Sequence, residues 1–395
     1  MVANRLNVAI AGGGIGGLAT ALALAYHGIE SHVYERRQEF PEEGAGIQIG
    51  PNGTRILRDL GVADLLRNRA AAPDALSVRH GATGRELTRL PLGTWIAERH
   101  GSPYWTAHRK DLHAALRTRA EAEPLIALKT GVEIVSFVNE SDGVHAVGAK
   151  GEVLSASVLV AADGLWSSLR QHVTAGSAPK PVGKTAFRSV VSAERLPSEL
   201  TRNAVHIWLA PGAHAVHYPV NGGRDIALVV IADDASRDTG WDVPSSADAV
   251  HEKIRDFAAP LQSLVADARD WRHWSLYSMP PLERWTNERV ALLGDAAHPV
   301  LPFLAQGAVL ALEDAMTLAA HLAAGGGGVE ASLRDYEASR RQRVQCVAEA
   351  SRRNGRIYHM SGAAALARNT AMRIRPPAGV MAGFDWMYGW RLMPC

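Results

Sequence analysis

Cysteine is nearly missing from this chain. Cys346 and Cys395 are the two among 395 residues, and no CxxC pair occurs, which argues against a disulfide framework, a redox-cysteine pair and a cysteine-built metal site. The 16 histidines form no HExxH or other metal signature. An excess of one charge is also missing: 42 basic against 40 acidic residues leave a net charge of +2 with no long basic block, so neither nucleic acid nor an anionic membrane is indicated as a partner. No apolar stretch reaches the ~18 residues expected of a membrane span. The first strand-like run starts at Asn7, leaving no room for a signal peptide, and the expectation is a soluble cytoplasmic protein. No internal repeat of solenoid or propeller period is present.

Glycine, by contrast, is plentiful at 37 residues. Three glycine-bearing signatures organise the chain: Val8-Ala-Ile-Ala-Gly-Gly-Gly-Ile-Gly-Gly17, Leu159-Val-Ala-Ala-Asp-Gly-Leu165 and Val290-Ala-Leu-Leu-Gly-Asp-Ala-Ala-His-Pro299. In the first, Asn7 to Ala11 is an apolar run suited to a buried parallel strand. Gly12, Gly14 and Gly17 then take the G-x-G-x-x-G positions before a helical run from Leu18 to His27. Gly12 allows the tight turn, Gly14 lets backbone approach a pyrophosphate, and Gly17 lets helix and sheet pack closely. The pyrophosphate would sit on the free N–H groups and positive end of that helix. The run Ser31 to Tyr34 reads as the second strand and ends in Glu35, at the distance where an acidic residue hydrogen-bonds an adenosine ribose; Arg36 beside it joins the cofactor set. Together the three signatures describe a chain that grips FAD from three places. No second fingerprint supplies a nicotinamide domain, so NADH or NADPH is expected to bind only transiently.

Further along, a helix is expected from Arg109 to about Arg119, and strand-like runs at Glu133 to Asn139, Val144 to Ala149 and Leu159 to Ala162. A polar stretch with Gly81, Gly84, Pro91 and Gly93 reads as an interruption. Residues 183 to 232 hold four short β-rich runs separated by Gly or Pro, the signal of an inserted antiparallel sheet. Beyond Leu310 the chain reads as helical, broken at Gly325-Gly-Gly-Gly328. The fold class is therefore α/β. A Rossmann-like FAD-binding domain (1–75, 105–180 and 282–325) carries an inserted antiparallel-sheet substrate domain (76–104 and 181–281), and a helical C-terminal region (326–395) follows. The aromatic-rich tail Phe384 to Arg391 is expected to dock on its own flavin domain, with monomer and homodimer both open.

These signatures, together with Gly44-Ala-Gly-Ile-Gln-Ile-Gly-Pro-Asn52, Thr106-Ala-His-Arg-Lys-Asp-Leu-His113, Leu301-Pro-Phe-Leu-Ala-Gln-Gly-Ala308 and Glu313-Asp314, resemble the single-component FAD-dependent aromatic hydroxylases over nearly the whole chain. That class includes p-hydroxybenzoate, salicylate, 3-hydroxybenzoate and 6-hydroxynicotinate hydroxylases. The resemblance implies that Arg109 lies by the flavin's phosphate and ribityl chain, that Asp163 and Gly164 serve flavin and nicotinamide binding, and that Asp295 bonds the ribityl chain. It also implies that the turn from Pro302 through Gln306, Gly307 and Ala308 passes the isoalloxazine. His298, inside the third signature, reads better as a structural histidine than as an acid, base or ligand.

The activity so implied is hydroxylation of a small hydroxylated aromatic or heteroaromatic ring by NAD(P)H and O₂ through a flavin C4a-hydroperoxide. The protein must hold the ring, keep it dry and draw off the hydroxyl proton. In Trp208-Leu-Ala-Pro-Gly-Ala-His-Ala-Val-His-Tyr-Pro219, strand alternation puts His214 and Tyr218 on one face and His217 on the other. His214 is the candidate acceptor of the hydroxyl proton and Tyr218 the orienting donor. Gln48, counted also with the cofactor set, and Arg188 are available to a substrate carboxylate, while Pro302 and Phe303 make the flavin-side wall apolar where some relatives are polar. Tailoring epoxidases and prenyl-chain reductases share such folds and form the alternative; Trp271-Arg-His-Trp274 does not match a halogenase segment.

Overall fold

The computed structural model describes residues 6–40, 45–175, 178–234 and 240–392. A six-stranded sheet runs in the order 286–287, 290–292, 158–161, 7–11, 30–35, 126–130, parallel except at its first pair. Strands Asn7–Ala11 and Val158–Ala161 are almost wholly buried, as apolar runs covered on both faces should be. The helix Ile15–Tyr26 is apolar nearly all round because it is wedged between this sheet and the helix Gly307–Ala324. That second helix is, on length and mean hydropathy (1.3), sufficient to cross a membrane, contrary to the expectation that no stretch reaches that length. It is 67% buried in this protein and carries the fully buried Glu313 and Asp314, which is the use of a core helix.

The second sheet has eight strands in the order 241–244, 269–278, 180–192, 225–233, 213–220, 204–210, 75–80, 86–91. It is antiparallel except that Ala204–Ala210 pairs in parallel with Ala75–His80, so the inserted sheet is mixed rather than purely antiparallel. The stretch read as a polar interruption is in fact the hairpin Ala75–His80/Glu86–Pro91 at this sheet's edge, followed by the helix Gly93–His100. Its glycines fill the turn, Gly84 at φ +68°, rather than breaking the sheet. One face of the sheet packs Phe187, Trp208, Leu228 and Val230 against the helices Ala247–Lys253 and Ala259–Asp267. The opposite face, with Val78, Ile207, Tyr218 and Ala227, looks toward the first domain and the C-terminal helices.

A three-stranded sheet (134–139, 144–148, 153–156) flanks the first domain. The helix Val329–Tyr358 spans both domains, and the tail folds back: Arg55 donates to the Trp390 carbonyl (2.6 Å), Arg343 to the Trp386 and Met387 carbonyls (2.8 and 2.9 Å), and Arg99 pairs with Asp385.

Candidate functional site

Parallel pairing brings the carboxyl ends of the strands 7–11, 30–35, 158–161 and 290–292 to one edge, with Ala11 level with both Tyr34 and Ala161 and Ala161 level with Leu292. Gly12, Glu35, Asp163 and Asp295 therefore leave the sheet side by side, at the crevice where doubly wound sheets bind ligands. A Cβ at Gly12 (φ +107°) would lie 2.4 Å from the Ala162 carbonyl oxygen, and one at Gly17 1.9 Å from that of Gly12. A Cβ at Gly14 would meet nothing within 4 Å. Gly14 caps the helix Ile15–Tyr26 without a side-chain cap, so the first N–H groups of that helix face open space. Glu35 accepts from the N–H groups of Gly13 and Arg37 (both 3.0 Å), which fixes its carboxylate at the crevice and leaves lone pairs for a ribose. Arg36 turns away, exposed and 3.8 Å from Glu133.

Deeper in the crevice, Arg109 and Asp295 are both reached by solvent, yet each is ringed by protein. Burial lowers the Arg109 pKa and raises that of Asp295, and their mutual attraction opposes both shifts. Burial likewise raises the Asp163 carboxyl, which accepts from the Leu169 N–H (3.3 Å) to hold the turn at Gly164 (φ +80°). The residue that joins the second and third signatures went unread in the sequence. Arg170, 4% exposed, donates to the carbonyls of Ala296 (2.7 Å), Leu165 (2.9 Å), Asp295 (3.1 Å) and Gly164 (3.2 Å).

After the short turn Pro302–Leu304, Ala305 at φ +52° redirects the chain and Gln306 caps the helix Gly307–Ala324, whose N-terminus opens on the crevice. The Gln306 side chain is turned inward, accepting from Asn52 (3.0 Å), so what this turn offers a flavin is backbone N–H. Behind it lies a buried ionic network. Arg340 donates to Asp314 (2.7 Å) and Glu313 (2.8 Å), Arg343 to Glu313 (2.8 Å), and His298 to Asp314 (2.6 Å). His298 thereby has a structural partner.

On the sheet face opposite this turn, Tyr218 is 2% exposed and bonded to Gln48, which also accepts from the Tyr104 hydroxyl (2.7 Å). Burial raises the Tyr218 hydroxyl to about 12, against the pull of Arg188 and Gln48. Gly46 is the residue that permits this wall, since a Cβ there would lie 2.7 Å from the Tyr218 oxygen. Arg188 stacks over Trp274 (4.9 Å), and its buried Nε has no hydrogen-bond partner among the described residues. His214, on the same face, is 2% exposed and packed against Phe303, Tyr358 and His359. Phe303 thus supports His214 from the flavin-side turn, with Pro302 half-buried beside it. His217 points the other way, stacked on His206.

An open-sided glycine loop, a helix N-terminus, an acidic residue for a ribose and a facing Arg–Asp pair make a cradle of FAD shape and polarity. The comparisons with known proteins agree. The chain belongs to the FAD binding domain family, whose pattern matches residues 5–351, and within it to the single-component FAD-dependent aromatic hydroxylases. It is 38% identical over 384 residues to 3-hydroxybenzoate 6-hydroxylase 1 of Aquipseudomonas alcaligenes, covering 97% of each chain. It is 33% identical over 351 residues to 6-hydroxynicotinate 3-monooxygenase of Bordetella bronchiseptica, covering 88% of this chain and 91% of that one. The crystal structure of Klebsiella pneumoniae HpxO with FAD and uric acid superposes with a TM-score of 0.87 at 25% identity, covering 98% and 97% of the two chains. The protein is an FAD-dependent aromatic monooxygenase, with NAD(P)H as the reductant typical of the family.

Proposed function

We propose that the substrate is a hydroxybenzoate, with 3-hydroxybenzoate as the first candidate, and that O₂ supplies the oxygen inserted. The observation that carries this reading is Arg188, a guanidinium sunk into the substrate sheet with its Nε unpartnered among the described residues, on the same face as His214 and Tyr218. Asp242 attracts this guanidinium but does not bond its Nε, and a buried donor left unmade is costly, so a carboxylate from the substrate would relieve it. Two strand spacings, about 10 Å, separate the Arg188 and His214 strands, room for a ring bearing a carboxylate at one end and a hydroxyl at the other. Tyr218 and Gln48 would orient the ring between them. Two relatives with hydroxylated carboxy-aromatic substrates, named for 3-hydroxybenzoate and 6-hydroxynicotinate, support the class.

FAD supplies the electron transfer and oxygen activation. Arg109, Asp295 and the Gly12–Gly17 loop would hold it, and the apolar Phe303 side keeps water from the reacting edge. His214 would take a hydrogen bond, and then the proton, from the substrate hydroxyl, which raises electron density on the ring. The test is NADH and O₂ consumption by the purified protein across hydroxybenzoates and hydroxypyridines, with products identified by mass. Arg188→Met should raise the KM for the best carboxylated substrate at least ten-fold while leaving binding of the matching decarboxylated phenol unchanged. Equal effects on both would remove Arg188 from the carboxylate site. His214→Ala should keep FAD and lose product relative to NADH consumed, by ~10² or more in the hydroxylation step, with peroxide made instead.

A further inference from the structure

His214 alone is a poor place to leave a proton. Its ring is buried, and burial, then His359 and Lys184, hold its pKa well below the ordinary value, so an imidazolium there is strongly disfavoured. The ring is not alone, however. Its Nδ1 lies 2.8 Å from Nε2 of His359, the residue that ends the helix Val329–Tyr358. Nδ1 of His359 lies 2.9 Å from Nζ of Lys184 and 3.6 Å from Oδ1 of Asp233, which are themselves ion-paired. The contact with His359 uses Nδ1, which leaves the other ring nitrogen of His214, Nε2, to meet a substrate. His359, Lys184, Phe303 and Arg356 line a groove of about 1130 Å³ that opens to solvent.

We propose that His359, with Lys184 and Asp233 at the groove, forms the outer half of a proton relay that carries the substrate's hydroxyl proton from His214 to solvent. The inference rests on the reading of His214 as the acceptor of that proton. The transfer balances with neither ring ever charged. The substrate O–H bond breaks as N–H forms at His214 Nε2, and the His214 Nδ1–H passes to His359 Nε2. Before the transfer the His359 Nδ1–H is directed at Asp233 Oδ1, with the Lys184 ammonium bonded to Asp233 rather than to the ring, and it then leaves through Asp233 to water in the groove. Lys184 is left donating to the bared His359 Nδ1, and His214 Nε2–H donates to the phenolate. The groups facing this line are Lys184 and Asp233 from the sheet, Tyr358 beside His214, and Arg368, which donates to the Ile357 and Tyr358 carbonyls (2.8 and 2.9 Å). Burial and Lys184 lower the His359 pKa to about 4, against Asp233, so it too stays neutral at working pH. Two neutral imidazoles in series move a proton that one buried imidazole could not keep.

The probes are 3-hydroxybenzoate and salicylate, bound anaerobically to the FAD-loaded protein, with the bound phenol's ionisation read by ultraviolet difference spectra against pH. Hydroxylation is then followed in single turnovers. His359→Gln keeps a polar side chain of similar reach but cannot pass a proton through. It should retain FAD, shift the bound phenol's apparent pKa upward, and slow hydroxylation about 10²-fold, with peroxide rising. In His359→Ala, millimolar imidazole should restore part of the loss, because the vacated position opens on the groove. Lys184→Met, at a partly exposed site, should shift the same pKa in the same direction by less and serves if the His359 variants do not fold. Wild-type ionisation and coupling in His359→Gln or Lys184→Met, with both lost in His214→Ala, would overturn the relay and leave His214 standing. If His214→Ala is unaffected as well, or wild type hydroxylates neither probe, the reading of the site itself fails and the relay goes with it.

Discussion

Gly14 and Gly17 belong to one motif but answer to different physics. Gly14 sits at φ −76°, open to any residue, and a Cβ there would point into empty crevice; Gly17 is pressed on the Gly12 carbonyl. Gly14→Val should therefore fold with an unchanged circular dichroism spectrum and purify colourless, because the added methyls take the space a pyrophosphate needs. Gly17→Val should fail to fold, whatever the flavin concentration. Full flavin occupancy in Gly14→Val would sink the cradle assignment. Such backbone requirements are legible in a sequence because only glycine meets them. Arg170 and His359 were not legible, because their partners are carbonyls, rings and charged side chains brought close from as far as 175 residues away, and a lone arginine or histidine carries no local signal of that. Gln306 shows the converse: its place in the motif was readable, the inward turn of its side chain toward Asn52 was not.

Between elements, the decisive feature is the ionic seam where the helix Gly307–Ala324 meets the helix Val329–Tyr358. Glu313, Asp314 and Arg340 are at most 1% exposed. Burial alone would raise the Asp314 carboxyl, but His298 and Arg340 override it and bring it to about 2. Since an unfolded aspartate titrates near 3.9, this group stabilises the fold above about pH 4, and the contribution is lost as pH falls toward 2. Arg340→Met would remove from two buried carboxylates a counter-charge that they share, leaving Asp314 to His298 and Glu313 to Arg343, at a cost of about 3 to 5 kcal/mol. Urea melts at pH 7 should show that loss, and acid titration should show unfolding at higher pH than in wild type. An unchanged acid midpoint would mean that Asp314 is not held down by Arg340. The sequence showed Glu313-Asp314 as a motif and the glycine break after it, yet gave no sign that Arg340 and Arg343, in the next helix, were the partners. Helical spacing fixes which residues share a face, not which face meets which.

Across the whole molecule, the order of sheet, inserted sheet and helical region followed from alternation and turn residues. What periodicity left out were the edges: the hairpin Ala75–Pro91 and the strand Ile126–Thr130 lie at sheet borders, where half the residues are polar and the pattern fades. The tail is the piece that closes the architecture. Met387 and Tyr388 are buried, and the Tyr388 ring stands 6.1 Å from Tyr104 and against Gly50, directly behind the Tyr104–Gln48–Tyr218 wall. Fully burying two such side chains is worth about 3 to 6 kcal/mol, and Arg55 and Arg343 depend on tail carbonyls for acceptors. A chain ending at Gly383 should therefore melt several degrees lower while still binding FAD, whose cradle the tail does not build. The wall behind Tyr218 would then be backed by water instead of Tyr388, so the ring should be held less firmly and more NADH should end as peroxide. Thermal melts with and without the best aromatic substrate, and the ratio of product to NADH, measure the two effects. A truncated protein with wild-type melting and wild-type coupling would show that the tail rests on the surface without supporting the site.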